Sequence, residues 1–410
     1  MKVSKSIEIQ PWMRSLEVQK LFSVFESAHT NLRFVGGVVR DALSGRPIDD
    51  IDLATILTPD VVMTTLTQAG ITMVPTGLKH GTVTAVINNK HFEITTLRTD
   101  VSSDGRHAEV EYTNDWLKDA MRRDFTFNAM YLSYDGELFD PFDGLSDLKS
   151  GIVRFIGNPT QRITEDYLRI LRFFRFFAYF GKNDPDERTL QSIVELKEGL
   201  NRISSERIHK EFFKLIEATN PIRALETMQV LSIMQTLFKF DGNCQTLSRL
   251  ITLEDALGLK AAPLRRLLAL FEGHLGSLGE AMDRMKLSNA EKHTIVTTGY
   301  ARAHLTDPLN ILFYQWGPRI TFHAFMLQTA SDRTSHAEAT KHLQVLMNQM
   351  NDWIRPTFPL KGEDLIDLGV PEGPMIGTLI QKAEMWWLQN RCSPSREACL
   401  NFLKEHLARH

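Results

Sequence analysis

The sequence predicts an α+β protein: an N-terminal head built on a mixed sheet with helices, and an all-helical remainder. Three observations carry this expectation. From Arg33 to about Gly151, short runs rich in β-branched and aromatic residues are separated by Gly, Pro and Asn turns and a few helical stretches. After Pro159 the apolar residues recur with helical period to the end of the chain. With 43% hydrophobic and 24% charged residues over 410 positions, the chain has the composition of a globular protein that buries its core without staples.

Taken in order, residues 1–32 read as a helical lead-in anchored by Leu16, Val18, Leu21, Phe22 and Phe25. Strand-like runs follow at 33–37, 50–55, 81–87, 91–98 and 137–143. Residues 99–115, small and polar, read as a mobile loop. In the helical part, Asp184-Pro185, Asn220-Pro221, Asp307-Pro308 and the stretch 356–359 mark loops. The length is a prior for about two to three domains. The changes of texture set expected boundaries at 1–150, 151–225, 226–350 and 351–410.

Several functional classes recede on composition. Three scattered cysteines, Cys244, Cys392 and Cys399, argue for a reducing compartment and against a disulfide framework. The first residues lack the apolar run of a signal peptide, and no stretch approaches the ~18 apolar residues of a membrane span. The expectation is a cytoplasmic protein with no membrane contact and no obligate protein partner. His107, His209 and His274 show no metal spacing. A net charge of −3 is neutral on nucleic acid, because gripping one end of an RNA needs a local basic patch only.

The chemistry concentrates in one short window. Gly36-Gly37-Val38-Val39-Arg40-Asp41 follows an apolar strand, and Asp50-Ile51-Asp52 opens a second one. Side chains two apart on a strand share a face, so Asp50 and Asp52 project side by side. Two like charges so placed are costly unless cations offset them. Magnesium prefers oxygen ligands and is commonly held by one or two carboxylates plus substrate phosphates. The Gly36-Gly37 turn lets backbone N–H groups approach a triphosphate, and Arg40 adds charge on the same turn. A lone pair of aspartates or glycines is usually a solvated turn; the combination after a strand is not.

These residues resemble the head motif of class II tRNA nucleotidyltransferases and bacterial poly(A) polymerases, within the polymerase-β-like nucleotidyltransferase superfamily. The resemblance continues through 77–83 and 93–98, then through Arg122-Arg123-Asp124 with 125–129, which is similar to the family's ribose-selecting motif. Glu165, Asp166, Arg169, Arg172 and Arg175 match the spacing of its nucleotide-selecting helix, and 202–207 resembles its supporting motif. The matches are strong over roughly 33–215 and weaker from 362 to 387. The resemblance names the four expected segments head, neck, body and tail, the last two binding RNA.

What the resemblance implies is specific. Asp50 and Asp52 would be catalytic and hold Mg2+. Gly36, Gly37, Arg40, Arg123, Asp124, Asp166, Arg169, Arg172 and Arg175 would bind the nucleotide, with Arg123 and Asp124 on the ribose. Three positions apart, Asp166 and Arg169 share one helix face. Cytosine and adenine both offer an exocyclic amine beside an unprotonated ring nitrogen, so one carboxylate–guanidinium pair accepts both and rejects uracil and guanine. Arg172 and Arg175 continue the stripe toward phosphates or base. Glu93, on a strand near the pair, would assist metal binding or proton removal; the competing reading pairs it with Arg98. In the loop, Asp104 and Arg106 are the candidates for the switch from C to A addition. Trp386 and Trp387 read as core in preference to an RNA-stacking surface.

The expected activity is addition or repair of the CCA end of tRNA from CTP and ATP. Rival readings are a poly(A) polymerase, a partial enzyme adding only CC or only A, and a non-catalytic RNA-binding relative. Residues 77–83 lack the arginine-rich segment associated with poly(A) polymerases, and the intact Asp50, Asp52, Asp166 and Arg169 oppose a degenerate site.

Overall fold

The computed structural model describes residues 5–26, 32–48, 50–103, 108–332 and 336–407. The chain divides into two compact units, Met1–Asp241 and Gly242–His410. The first contains a sheet of eight strands: β1 (Lys5–Ser6), β2 (Arg33–Val35), β3 (Ile51–Thr55), β4 (Thr72–Gly77), β5 (Thr82–Ile87), β6 (Lys90–Thr96), β9 (Tyr131–Leu132) and β10 (Glu137–Phe139). The remaining two, β7 (Arg98–Ser103) and β8 (Ala108–Tyr112), form a separate antiparallel hairpin. The large sheet runs β1-β10-β9-β2-β3-β6-β5-β4 and is mixed: β3 and β6 are parallel, and the other pairings are antiparallel.

Several sequence expectations change here. The lead-in is not all helix: β1 adds an edge strand to β10 before α1 (Leu16–Glu26) begins. A Pro-containing segment forms β4, tolerated because it is the opposite edge and its register shifts between Val74 and Gly77, around Pro75. The stretch read as a loop supplies β7 and β8. Its alternating Ala108-Glu109-Val110-Glu111-Tyr112 pattern suits a strand, and pairing with 98–103 satisfies its backbone.

Short helices fill the connections of the first unit: α2 (Gly37–Leu43), α3 (Pro59–Gln68), α4 (Trp116–Met121) and α5 (Gly144–Ser150). Six more follow the sheet: α6 (Pro159–Glu165), α7 (Leu168–Phe180), α8 (Glu187–Leu196), α9 (Ser205–Glu217), α10 (Ile222–Val230) and α11 (Ile233–Phe238). α7 is held to the sheet-bearing part by aromatic packing. Phe125 lies 5.3 Å from Phe176 and 4.6 Å from Phe155, and Phe127 lies 5.4 Å from Phe176. Such pairs contribute about 0.5–1.5 kcal/mol each beyond burial, enough to fix the helix that carries the arginine stripe.

The second unit is helical throughout its described residues, from α12 (Cys244–Ala256) and α13 (Pro263–Leu270) to the C-terminal pair Pro374–Gln389 and Arg396–Leu407. Glu254, fully buried, receives Arg265 at 2.6 Å and Arg266 at 2.7 Å, a closed triad that ties α12 to α13. Trp387 is core, and Trp386 stacks on Phe402 at 4.6 Å, so both tryptophans serve packing.

Candidate active site

β2 delivers the chain to Gly36, whose φ of +72° belongs to the left-handed side that glycine adopts at least cost. A Cβ there would stand 3.3 Å from Arg123 Nη1, so the turn also needs the space. The chain returns on β3. Asp50 is exposed just before the strand, and Asp52 is its second residue, directly opposite Glu93 of β6 in the parallel register. Burial, reinforced by Glu93 and by Asp50, raises the Asp52 carboxyl to about 6 against the opposing pull of Arg123 and Arg40. Asp52 thus feels both Glu93 and Asp50, and Arg98 donates to the His80 carbonyl. Among the described residues no group of three or more His, Cys, Asp or Glu side chains is gathered to hold a metal by itself. A cation here would take two carboxylates and complete its shell with substrate oxygens.

A cavity of about 440 Å³ opens beside Asp52. Its walls carry Gly36, Gly37, seven arginines (Arg40, Arg122, Arg123, Arg169, Arg172, Arg175 and Arg207) and three aspartates (Asp52, Asp124 and Asp166). The excess of guanidinium over carboxylate makes this an anion-receiving chamber. The cavity thus joins Gly36, Gly37, Arg40, Asp52, Arg123, Asp124, Asp166, Arg169, Arg172 and Arg175. Asp50 and Glu93 are not among its lining. Asp104 and Arg106 lie outside the described residues.

Most of the arginines are already held. Arg40 grips Asp41 at 2.7 Å, donates from Nη1 to Asn128 Oδ1 at 2.8 Å, and lies 4.9 Å above Phe176. Arg172 binds Asp124 at 2.5 Å and Glu211 at 3.5 Å, and Arg175 meets Glu211 at 2.8 Å. Burial lowers Arg175 to about 10, opposed by Glu211 and reinforced by Arg172 and Arg40. Such fixed donors answer phosphate charge with little reorganisation.

One expectation about side chains is corrected. Asp166 does not share the face of the arginine helix. It is extended, with φ −157° and ψ 105°, between α6 and α7. Its Oδ1 accepts from Leu168 N at 3.1 Å, so it closes the start of α7 as a short acid does at a helix entry. Arg207 of α9 holds its other oxygen at 2.6 Å. Asp166 and Arg169 both line the cavity, with Arg169 clamped by Glu165 Oε2 at 2.6 Å and the Arg162 carbonyl at 2.9 Å. Asp124 lines the same cavity. It is buried, and its oxygens already accept from Phe125 N, Asn128 Nδ2 and Arg172. Burial opposes ionisation, yet Arg172 and these donors hold the carboxyl below the usual carboxylate range. Its visible work is to fix Arg172 and Asn128.

Sequence reading missed Asp119, Asn128, Glu211 and the site role of Arg162 and Arg207. Arg162 donates to the carbonyls of Met121 and Arg123, and Arg169 to that of Arg122 at 3.3 Å, capping the orphan end of α4. Their partners mark these residues; the sequence signals are the motif stretches that contain Asn128 and Arg207 and the place of Asp119 on α4, three and four positions before Arg122 and Arg123 just beyond its end.

Comparison with known proteins agrees with this geometry. Residues 32–154 match the family described as "Poly A polymerase head domain", and 184–240 match "Probable RNA and SrmB- binding site of polymerase A". These two matches define a polymerase-type nucleotidyltransferase head followed by its RNA-binding helices. The chain is 35% identical to the mitochondrial CCA tRNA nucleotidyltransferase 1 of Mus musculus, over 96% of this chain and 93% of that protein. It is 29% identical to a CCA-adding enzyme of Lactobacillus delbrueckii, over 92% and 94%. The Bacillus stearothermophilus CCA-adding enzyme, crystallised with CTP, superposes with a TM-score of 0.77 at 25% identity, over 96% of this chain and 98% of that one. The chain belongs to the CCA tRNA nucleotidyltransferase family. No helix among its described residues is long and apolar enough to cross a membrane.

Proposed function

We propose that this protein adds or repairs the 3′-terminal CCA of tRNA, drawing on CTP and ATP and selecting them with its own side chains instead of a template. The observation that carries the reading is the single cavity that gathers Asp52, the Gly36-Gly37 turn, seven arginines, Asp166 and Arg169. Neighbours of this fold have been crystallised with CTP and with tRNA, and relatives of the chain bear the names CCA tRNA nucleotidyltransferase and CCA-adding enzyme.

In this reading the triphosphate lies on the Gly36-Gly37 turn against Arg40, Arg123, Arg172 and Arg175. Asp166, anchored by Leu168 N and Arg207, turns its remaining lone pairs to the exocyclic amine of C or A, and Arg169 donates to the neighbouring acceptor. Uracil or guanine would set a carbonyl against the carboxylate. The tRNA 3′-hydroxyl attacks the α-phosphorus in line and pyrophosphate departs into the arginine wall. Asp50 and Asp52 would hold Mg2+, and their fit rests on the carboxyl of Asp52, raised by burial first and then by Glu93 and Asp50, which a cation would relieve. When bound, the ion activates the attacking hydroxyl and offsets charge on the leaving group. Glu93, opposite Asp52, is placed to assist metal binding or proton removal. We assign residues 1–150 to the head, 151–225 to the neck, and 226–350 and 351–410 to a body and tail that bind tRNA. A cytoplasmic setting accords with the three free cysteines.

The test is extension of tRNA transcripts ending before CCA, after C and after CC, with each NTP supplied separately. Two CTP additions followed by one ATP addition support the proposal. Runs of A on any acceptor would make the protein a poly(A) polymerase, and arrest after CC or inactivity before it would make it a partial enzyme.

A further inference from the structure

The hairpin of β7 and β8 and the arginines of the cavity converge on one buried carboxylate, Asp119 of α4, only 1% exposed. Its Oδ1 accepts from the backbone N–H of Arg98, the first residue of β7, at 3.1 Å, and from Arg122 Nε at 3.0 Å. Its Oδ2 accepts from Tyr131 Oη at 2.5 Å and from Arg123 Nε and Nη2 at 3.3 and 3.2 Å. Arg122 and Arg123 both line the cavity, and Tyr131 belongs to β9 in the middle of the large sheet. The hairpin root, the sheet and two cavity cations thus share one acceptor.

We propose that Asp119 is a positioning residue that couples the β7–β8 hairpin to Arg122 and Arg123, so that the hairpin's placement sets how these arginines meet the incoming nucleotide. The inference rests on the nucleotidyltransferase reading above and deepens it. Because Oδ1 serves the hairpin root and Arg122 together, a shift of the root redistributes the bonds on that oxygen. Oδ2, pinned by Tyr131, keeps Arg123 in register with the sheet. Burial alone would raise this carboxyl, but Arg123, Arg122, Tyr131 and the Arg98 amide hold it at about 2, so it stays an acceptor through any working pH. An asparagine would retain the shape and present an NH2 group to a ring of donors. In a shared network, the effects of two changes fail to add.

The experiment is a double-mutant cycle in the full chain, read as kcat and KM for CTP on tRNA lacking CCA and for ATP on tRNA ending in CC. Its arms are Asp119→Asn, a hairpin shortened within residues 101–110, and the two together. Asp119→Asn is expected to raise KM for both nucleotides and to lower kcat/KM for ATP by a further factor of roughly ten to a hundred, the scale of a hydrogen bond to a charged group. Shortening the hairpin in the Asp119→Asn background is expected to cost little more. Multiplying losses, or equal losses at both steps with KM unchanged, would overturn the coupling. Tyr131→Phe, which removes one donor and keeps the packing, guards against misfolding. It should shift the ATP-to-CTP ratio in the same direction by a smaller factor, and a folded Tyr131→Phe protein with the wild-type ratio would overturn the proposal. Wild-type protein run alongside separates the two ideas: if it adds no CCA, the functional reading fails; if it does and the cycle is additive, only the coupling fails.

Discussion

Replacing Asp52 by Asn should abolish nucleotide incorporation and at the same time stabilise the protein in the absence of divalent cations. The magnitude follows from the site. Burial, with Glu93 and Asp50 alongside, raises Asp52 from 3.8 to about 6 in the folded chain. The folded state therefore holds this proton more tightly than the unfolded state. Its contribution to stability is whole below the unfolded value and is lost as pH rises through about 6. By linkage a shift of this size amounts to about 2–3 kcal/mol at pH 8, roughly half of it accruing between pH 5 and pH 8. Asparagine has nearly the same shape and no charge, so it escapes the penalty. The assay is urea unfolding of both proteins in a chelating buffer at the two pH values, followed by fluorescence, with CTP and ATP incorporation measured in magnesium. The mutant midpoint should exceed the wild-type midpoint at pH 8, and the gap should narrow at pH 5. Added magnesium should stabilise the wild type more than the mutant. A mutant less stable than wild type at pH 8 without divalent cations, or a gap that ignores pH, would refute the claim that like charge is stored at this strand end.

Three other outcomes are expected. Asp166→Asn should lose efficiency with CTP and ATP while gaining relative use of UTP, because the new amide N–H can meet the O4 carbonyl. A mismatch of one hydrogen bond is worth about 1–3 kcal/mol, and an unchanged ratio of CTP to UTP in kcat/KM would remove the base-reading role. Asp124→Ala should destabilise the first unit by about 3 kcal/mol, since it removes the shorter of the two carboxylate contacts of Arg172 and leaves the donors of Phe125 and Asn128 without their acceptor; an unaltered urea midpoint would count against that structural role. Glu254→Gln in the second unit should cost a similar amount, about 3–5 kcal/mol, by removing the buried charge that Glu254 sets against Arg265 and Arg266, which a calorimetric scan of the full chain would detect.

The sequence by itself located the candidate carboxylates, Asp50 and Asp52, and the order of the α/β and helical parts. Asp50, expected to share a strand face with Asp52, stands exposed just before β3, which begins at Ile51; the arginines at 169, 172 and 175 repeat with helical spacing, a local relation that backbone geometry alone converts into a shared face. The helical texture after Pro159 was legible for the same reason. What only the tertiary structure decided are relations between distant charges. Nothing near Asp119 announces that its oxygens meet the root of β7 and Oη of Tyr131. Glu211 becomes the clamp of Arg172 and Arg175 only when α9 packs beside α7, and Arg207 reaches Asp166 by the same packing. Asp166 itself left the helix because its carboxylate satisfies the open N–H of Leu168 better at the helix entry than it could from within a turn. A single charged residue carries no periodic signal. Its partner is chosen by which surfaces the core buries against one another, and that choice is made by the whole chain.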